Sequence, residues 1–187
     1  MVEKERKSKG ISIEIKLQEN VNAELDGSTL TLKGPKGEVK RDFPDKNIEI
    51  GYKDRVISLK ASKFNKVNKN IINSYAAHIK NMMKGVLDGY KYTLKICSGH
   101  FPMNVSINNG QFSVKNCLGE KVPRTIKLKP GADVKVEGDL IVVESPSKEI
   151  AGQVSAAIEQ LTRRTKYDMR VFQDGIWIIS KGDKEIK

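Results

Sequence analysis

The chain is poor in the residues that catalysis and metal binding draw on. It has two cysteines, Cys97 and Cys117, and two histidines, His78 and His100. Cys97 and His100 stand at C-x-x-H spacing, but a structural zinc site needs four ligands, usually as two tight pairs, and Cys117 has no near partner. The thiols therefore read as two reduced small hydrophobes on or near strands, and no metal or cofactor is expected. No apolar run approaches the roughly 18 residues that span a bilayer. The opening segment "MVEKERKSKG" leads into alternating polarity, not into the apolar core of a signal peptide. The expectation is a cytosolic protein without membrane contact. G-x-S-x-G, H-E-x-x-H and G-x-G-x-x-G are all missing. Ser98 and His100 could serve as nucleophile and base, but the sequence shows no third group to orient the base. Glu120 and Glu137 could pair as acids, though no spacing requires it. His78, beside Ile79 and Met82, reads as a packed or edge histidine. No enzymatic activity and no small-molecule substrate are expected.

What the chain has in surplus is positive charge. Of 187 residues, 34 are Lys or Arg against 23 Asp or Glu, a net charge of +11. Such a surplus attracts polyanions and speaks to partners more than to fold. The length suits one domain, or two of about 90 residues.

The pattern along the chain favours two. "ISIEIKL" alternates with Ile11, Ile13, Ile15 and Leu17 on one face, as a half-buried strand does. "VNAEL" and "TLTLK" flank Asp26-Gly27 as a hairpin, and "EVKRDF" and "RVISLK" add short strands. The period then becomes helical, with Ile71, Tyr75, Ile79, Met82 and Val86 on a stripe. After "GVLDGY" the order starts again. "YKYTLKI", "MNVSI" and "QFSVKN" are strands, and Asn108-Asn109-Gly110 is a turn. "LGEKVPRTIKL", "VKVEG" and Leu140–Val143 complete the set. A final helix carries Ile150, Val154, Ile158 and Leu161, with Ser147 as its cap.

Two stretches repeat. "LTLKGPKGE" lies over "FSVKNCLGE", and "IINSYAAHIKNMMK" over "IAGQVSAAIEQLTR". The fold class predicted is α+β, as two tandem duplicated domains, each a small antiparallel sheet packed by one long helix, with domains at 1–87 and 88–187. The repeat also decides how "KGPKGE" is read. The second copy keeps Gly119-Glu120 but has Leu118 where the first has Lys36, so the loop is a turn device built on Gly34, Gly37 and Gly119. It opens a strand, whereas a Walker phosphate loop opens a helix and a KH-type G-x-x-G loop joins helices.

Basic residues gather at the end of the last helix, in "LTRRTKYDMRVFQDGIWIISKG". Arg163, Arg164, Lys166 and Arg170 are interleaved with Tyr167 and Phe172, opposed only by Asp168. Cations for phosphates and rings for bases or sugars suit an RNA face. The N-terminal Lys4, Arg6, Lys7 and Lys9, diluted by Glu3 and Glu5, read as a solvated tail.

Over essentially its whole length the sequence resembles the large-subunit ribosomal protein six family in its archaeal/eukaryotic branch. The resemblance is carried by "LKGPKGEV", "AAHIKNMMKGVLDGYKYTLKICSGHFPM", "NCLGEKVPR" and "RVFQDGIWI". It implies a structural constituent of the large ribosomal subunit, in the cytoplasm, near the factor-binding region by the sarcin–ricin loop and the stalk base. The implied partners are large-subunit rRNA, neighbouring ribosomal proteins and nearby translation factors. It implies that the first domain is the more exposed and that the second makes most rRNA contacts. The residues so implied are Lys91, Lys95, Ser98 and His100; Lys115, Asn116 and Arg124; and Arg163, Arg164, Lys166, Arg170, Gln173 and Asp174 of a basic tail. Bacterial relatives end in a Gly/Lys-rich tail that this chain lacks, so contacts of that tail do not transfer.

Overall fold

Alternation in "ISIEIK" makes strand β1 (Ile11–Lys16), whose Ile15 is buried while Glu14 and Lys16 face outward. The computed structural model describes residues 10–45, 47–168, 170–182 and 184–186. The basic N-terminal segment read above as a solvated tail lies outside them. The chain divides into two compact units, Met1–Asp88 and Gly89–Lys187.

In the first unit, strands β2 (Asn22–Asp26), β3 (Thr29–Gly34) and β4 (Gly37–Asp42) form one antiparallel sheet in that order. Strands β5 (Ile48–Lys53) and β6 (Val56–Ala61) form another with β1, in the order β1-β6-β5. The register sets Ile15 opposite Ile57 and Ile13 opposite Leu59, so apolar side chains share one face. Helix α1 (Lys66–Leu87) begins where the Asn65 side chain accepts from the Asn68 N–H at 2.7 Å. It ends at Asp88, followed by Gly89 at φ 79°. Its buried stripe is centred on Ile72, Ala76, Ile79 and Val86, with Ile71 and Tyr75 half-buried at the flank. Leu30, Leu32, Ile57 and Leu59 close the core beneath it.

The tip of the β3–β4 hairpin shows what "KGPKGE" does. Gly34 pairs with Gly37 across a two-residue Pro35-Lys36 turn. The Lys36 N–H donates to the Val86 carbonyl at 3.0 Å, supplying one of the open acceptors at the end of α1. A Cβ on Gly34 would stand 2.7 Å from that carbonyl oxygen and 2.9 Å from the Val86 Cβ. The glycine is needed because the hairpin presses on the helix end.

In the second unit, five strands share a sheet. They are β7 (Tyr90–Cys97), β11 (Asp133–Glu137), β12 (Leu140–Ser145), β13 (Gly175–Lys181) and β14 (Lys184–Glu185), in the order β11-β12-β7-β13-β14. Strands β8 (Asn104–Asn108), β9 (Gln111–Lys115) and β10 (Arg124–Lys127) form a second sheet. Helix α2 (Lys148–Thr162), capped by Ser147, packs Ala151, Val154 and Ile158 over Leu94, Phe112, Ile141 and Ile176. The α+β class and duplication hold, with a refinement: each unit carries two sheets. The burial phase of the helices also repeats, since Ile72, Ala76 and Ile79 of α1 and Ala151, Ser155 and Ile158 of α2 are the buried positions at equal offsets.

Two expectations are corrected here. The second "GE" loop is no tight hairpin. It runs from Lys115 to Arg124 through a 3₁₀ turn, Cys117–Gly119, because Asn116, Leu118 and Gly119 take φ of 60°, 49° and 77° and swing the chain aside. The basic tail is a tail only to Asp174, for β13 then enters the sheet antiparallel to β7, with Ile176 opposite Ile96.

Candidate nucleic-acid interface

The loop Asn116–Glu120 and the end of α2 are held by one carboxylate. Arg124 donates two bonds to Glu120, Nε to Oε2 at 2.7 Å and Nη2 to Oε1 at 2.8 Å. Its Nη1 donates to the Leu161 carbonyl at 2.7 Å, so a cation satisfies the C-terminus of α2. Arg164 binds the same Oε1 of Glu120 from the other side. The bonds from Arg124 act most strongly on Glu120; burial opposes them, Arg164 adds to them, and the carboxyl is held down at about 2. Glu120 thus binds two arginines rather than acting as an acid beside Glu137, which lies on β11. Arg124 and Arg164 are committed inside the protein, where the resemblance implies RNA contacts.

A second knot fixes His100. Asp174, only 1% exposed at its side chain, accepts from the His100 backbone N–H at 2.9 Å through Oδ1. Its Oδ2 lies 2.6 Å from the His100 Nδ1. Burial works against the charge of Asp174, yet the bonds from the His100 backbone and ring and from the Gly99 backbone outweigh it, and the carboxyl stays below the ordinary aspartate value. Asp174 therefore orients a neighbour and is not itself a surface contact. The His100 ring stacks on Phe172 at 5.0 Å and 32°, and Phe172 meets Tyr167 edge-on at 5.1 Å and 86°. The Arg164 guanidinium sits 5.0 Å over the Tyr167 ring.

The remaining candidates divide. Lys95, Ser98, His100, Gln173 and Asp174 line one open concavity. Arg163 and Arg164 line a smaller one beside it, with Tyr167 and Phe172. Arg163 and Lys166 are exposed, and neither has an ion pair among the described residues. Arg170 is ion-paired with Asp168 at 2.9 Å. Lys91 is exposed on β7, opposite Glu144 of β12. Lys115 ends β9 and is exposed. The Asn116 amide donates to the Pro102 carbonyl at 3.0 Å, tying two loops together. Thr162 is not among the residues the sequence points to, and Glu120 is offered there only as an acid beside Glu137. Thr162 accepts from the Ile176 N–H at 2.9 Å and so docks β13 on α2.

Catalytic and metal readings gain little. Asp174 does supply an orienting group for His100, but among the described residues Ser98 makes no hydrogen bond to the His100 ring, and a triad needs that arm. Burial raises the Cys117 thiol pKa, the opposite of an activated thiolate. Among the described residues no group of three or more His, Cys, Asp or Glu could hold a metal ion. Among the described residues no helix is long and apolar enough to cross a membrane.

Two repeated α+β units, with cations and rings gathered where a loop meets a helix end, define a tandem-duplicated α+β protein of the RNA-binding kind. The family model described as "Ribosomal protein L6" matches residues 17–89 and again 101–175, and the chain belongs to that family. The chain is similar to "Large ribosomal subunit protein uL6" of Desulfurococcus amylolyticus, 40% identical over 92% of this chain and 96% of that protein. It is 41% identical to the protein of that name from Methanobrevibacter smithii, over 90% and 94%. For Ignicoccus hospitalis the identity is 38%, over 89% and 92%. These archaeal relatives agree with the branch read from the sequence.

Proposed function

We propose that the chain is a structural constituent of the large ribosomal subunit that binds rRNA chiefly through its second unit. One observation carries this reading: the exposed cations Arg163 and Lys166 stand beside the Tyr167–Phe172–His100 rings. Charge neutralises phosphates and releases counterions, while the rings give a surface for sugar or base. Lys91, Lys95 and Lys115 extend the positive surface; Ser98, His100 and Gln173 add polar contacts. Asn116, Arg124, Arg164 and Asp174 act indirectly, by holding the loops and the end of α2. Arg170, already paired with Asp168, contributes less than an unpaired cation. The first unit is the more exposed one. The resemblance supports a place near the factor-binding region, by the sarcin–ricin loop and the stalk base. The neighbours there are other ribosomal proteins and translation factors, and the setting is the cytoplasm. The work is organisation of RNA, with no reaction.

The test is sedimentation of a lysate on sucrose gradients at low and moderate salt, tracking the chain and two variants. The parent comigrates with the large subunit. Arg163→Gln with Lys166→Gln lowers the salt slope of RNA binding by about 1.5, at roughly 0.7–0.9 per phosphate contact. Lys36→Ala in the first-unit hairpin changes nothing. A parent found only in light fractions, or equal effects of the two variants, refutes the reading.

A further inference from the structure

We infer that the exposed face of the His100 ring is a stacking seat for one unpaired nucleobase; this rests on the RNA-binding reading above. The ring is fixed before any ligand arrives. Asp174 holds its Nδ1 and its backbone N–H, and Phe172 backs its plane at 5.0 Å. Yet 41% of the side chain remains open. A planar group already immobilised loses little rotamer freedom on binding, so most of the stacking energy is kept.

The concavity that His100 lines fits the same ligand. The concavity measures about 450 Å³, within the roughly 300–1,000 Å³ of small-ligand pockets, and so has room for a nucleotide but not for a helix. Its lining pairs one cation, Lys95, with one surface carboxylate, Asp139, while Asp174 is sequestered by His100. A near-balanced site favours a neutral base over a phosphate. Ser98 and Gln173 offer polar groups for a base edge, and the exposed Val171 offers apolar contact. Arg163 and Lys166 lie on the connecting segment between α2 and β13, where flanking phosphates can be met. Bases inside a duplex have their faces covered, so the seat selects a bulge, loop or single strand.

The experiment titrates the full chain with two short RNA hairpins, one carrying a bulged 2-aminopurine and one with the same base paired. The bulged hairpin binds roughly tenfold tighter, as stacking of one base provides, and its fluorescence changes on saturation. His100→Asn keeps an N–H for Asp174 at the place of Nδ1 but removes the ring; it brings the two hairpins to equal affinity with the salt slope unchanged. Equal parental affinities with unchanged emission, both still salt-dependent, overturn the seat and leave the RNA reading standing. Salt-dependent binding to neither hairpin overturns both. If His100→Asn lowers the melting temperature, the parental comparison decides alone.

Discussion

Glu120→Gln keeps the shape of the side chain and removes the charge that Arg124 and Arg164 share. The carboxyl falls from an ordinary 4.5 to about 2 in the fold, which at ~1.4 kcal/mol per pH unit corresponds to about 3–4 kcal/mol. A quarter of the side chain is exposed (25%), so solvent screening reduces the loss at neutral pH to about 2 kcal/mol. In a unit of this size about 1 kcal/mol moves the midpoint by roughly 4–8 °C, which gives a drop of roughly 8–16 °C in the transition of the second unit. The sign follows from the lowered folded value. The contribution is fully present above pH 4.5 and is lost as pH falls towards 2. Calorimetry of parent and variant between pH 7 and the acid limit should show two curves far apart at neutrality that converge on acidification, because protonated Glu120 resembles glutamine. A variant that melts with the parent at pH 7, or a gap that persists in acid, refutes the account of the clamp.

Two further changes test the packing. Gly34→Ala sets a Cβ 2.7 Å from the Val86 carbonyl oxygen, and urea unfolding should show the first unit destabilised by about 1–3 kcal/mol, as overpacking costs. Ser155 is fully buried with its hydroxyl unpartnered among the described residues, at the repeat position that Ala76 fills in α1. Ser155→Ala should therefore stabilise the second unit, by about 1 kcal/mol, the scale of an unmet buried polar group; a lower midpoint in the same assay would count against the repeat-based argument.

The strands and helices were legible because their apolar spacing is local: Ile11, Ile13 and Ile15 announce a strand within seven residues, and Ile71, Tyr75 and Ile79 a helix within about two turns. The helix stripe was read one residue off centre, on Ile71 and Tyr75 rather than Ile72 and Ala76, since alanine adds little to a hydrophobic pattern. The site was less legible. A list of cations cannot show which are already paired, and the partner of Arg164 is 44 residues away. Asp174 reads as a polar surface residue until the chain brings it, 74 residues on, beneath His100. Arg124 and Glu120 stand at i,i+4 spacing, but that signal is interpretable only on a helix, and here it spans a loop. The conformation of the second "GE" loop depends on left-handed Asn116 and Leu118, the latter a residue that propensity places elsewhere.

The position of β13 also bears on synthesis. Every strand of the first unit precedes α1, so that unit is complete in sequence once residue 88 has been made. The second unit differs, because β7 begins it and β13, which covers one edge of β7, follows only after β8 to β12 and α2. Until residues 175–181 emerge, β7 carries an open edge along Leu94 and Ile96, the kind of unpaired strand that recruits foreign chains. The long closure favours late, slow completion of this unit. A nascent chain thus carries this edge unpaired while residues 98–174 are made, and the length of the intervening segment sets how long the edge stays open.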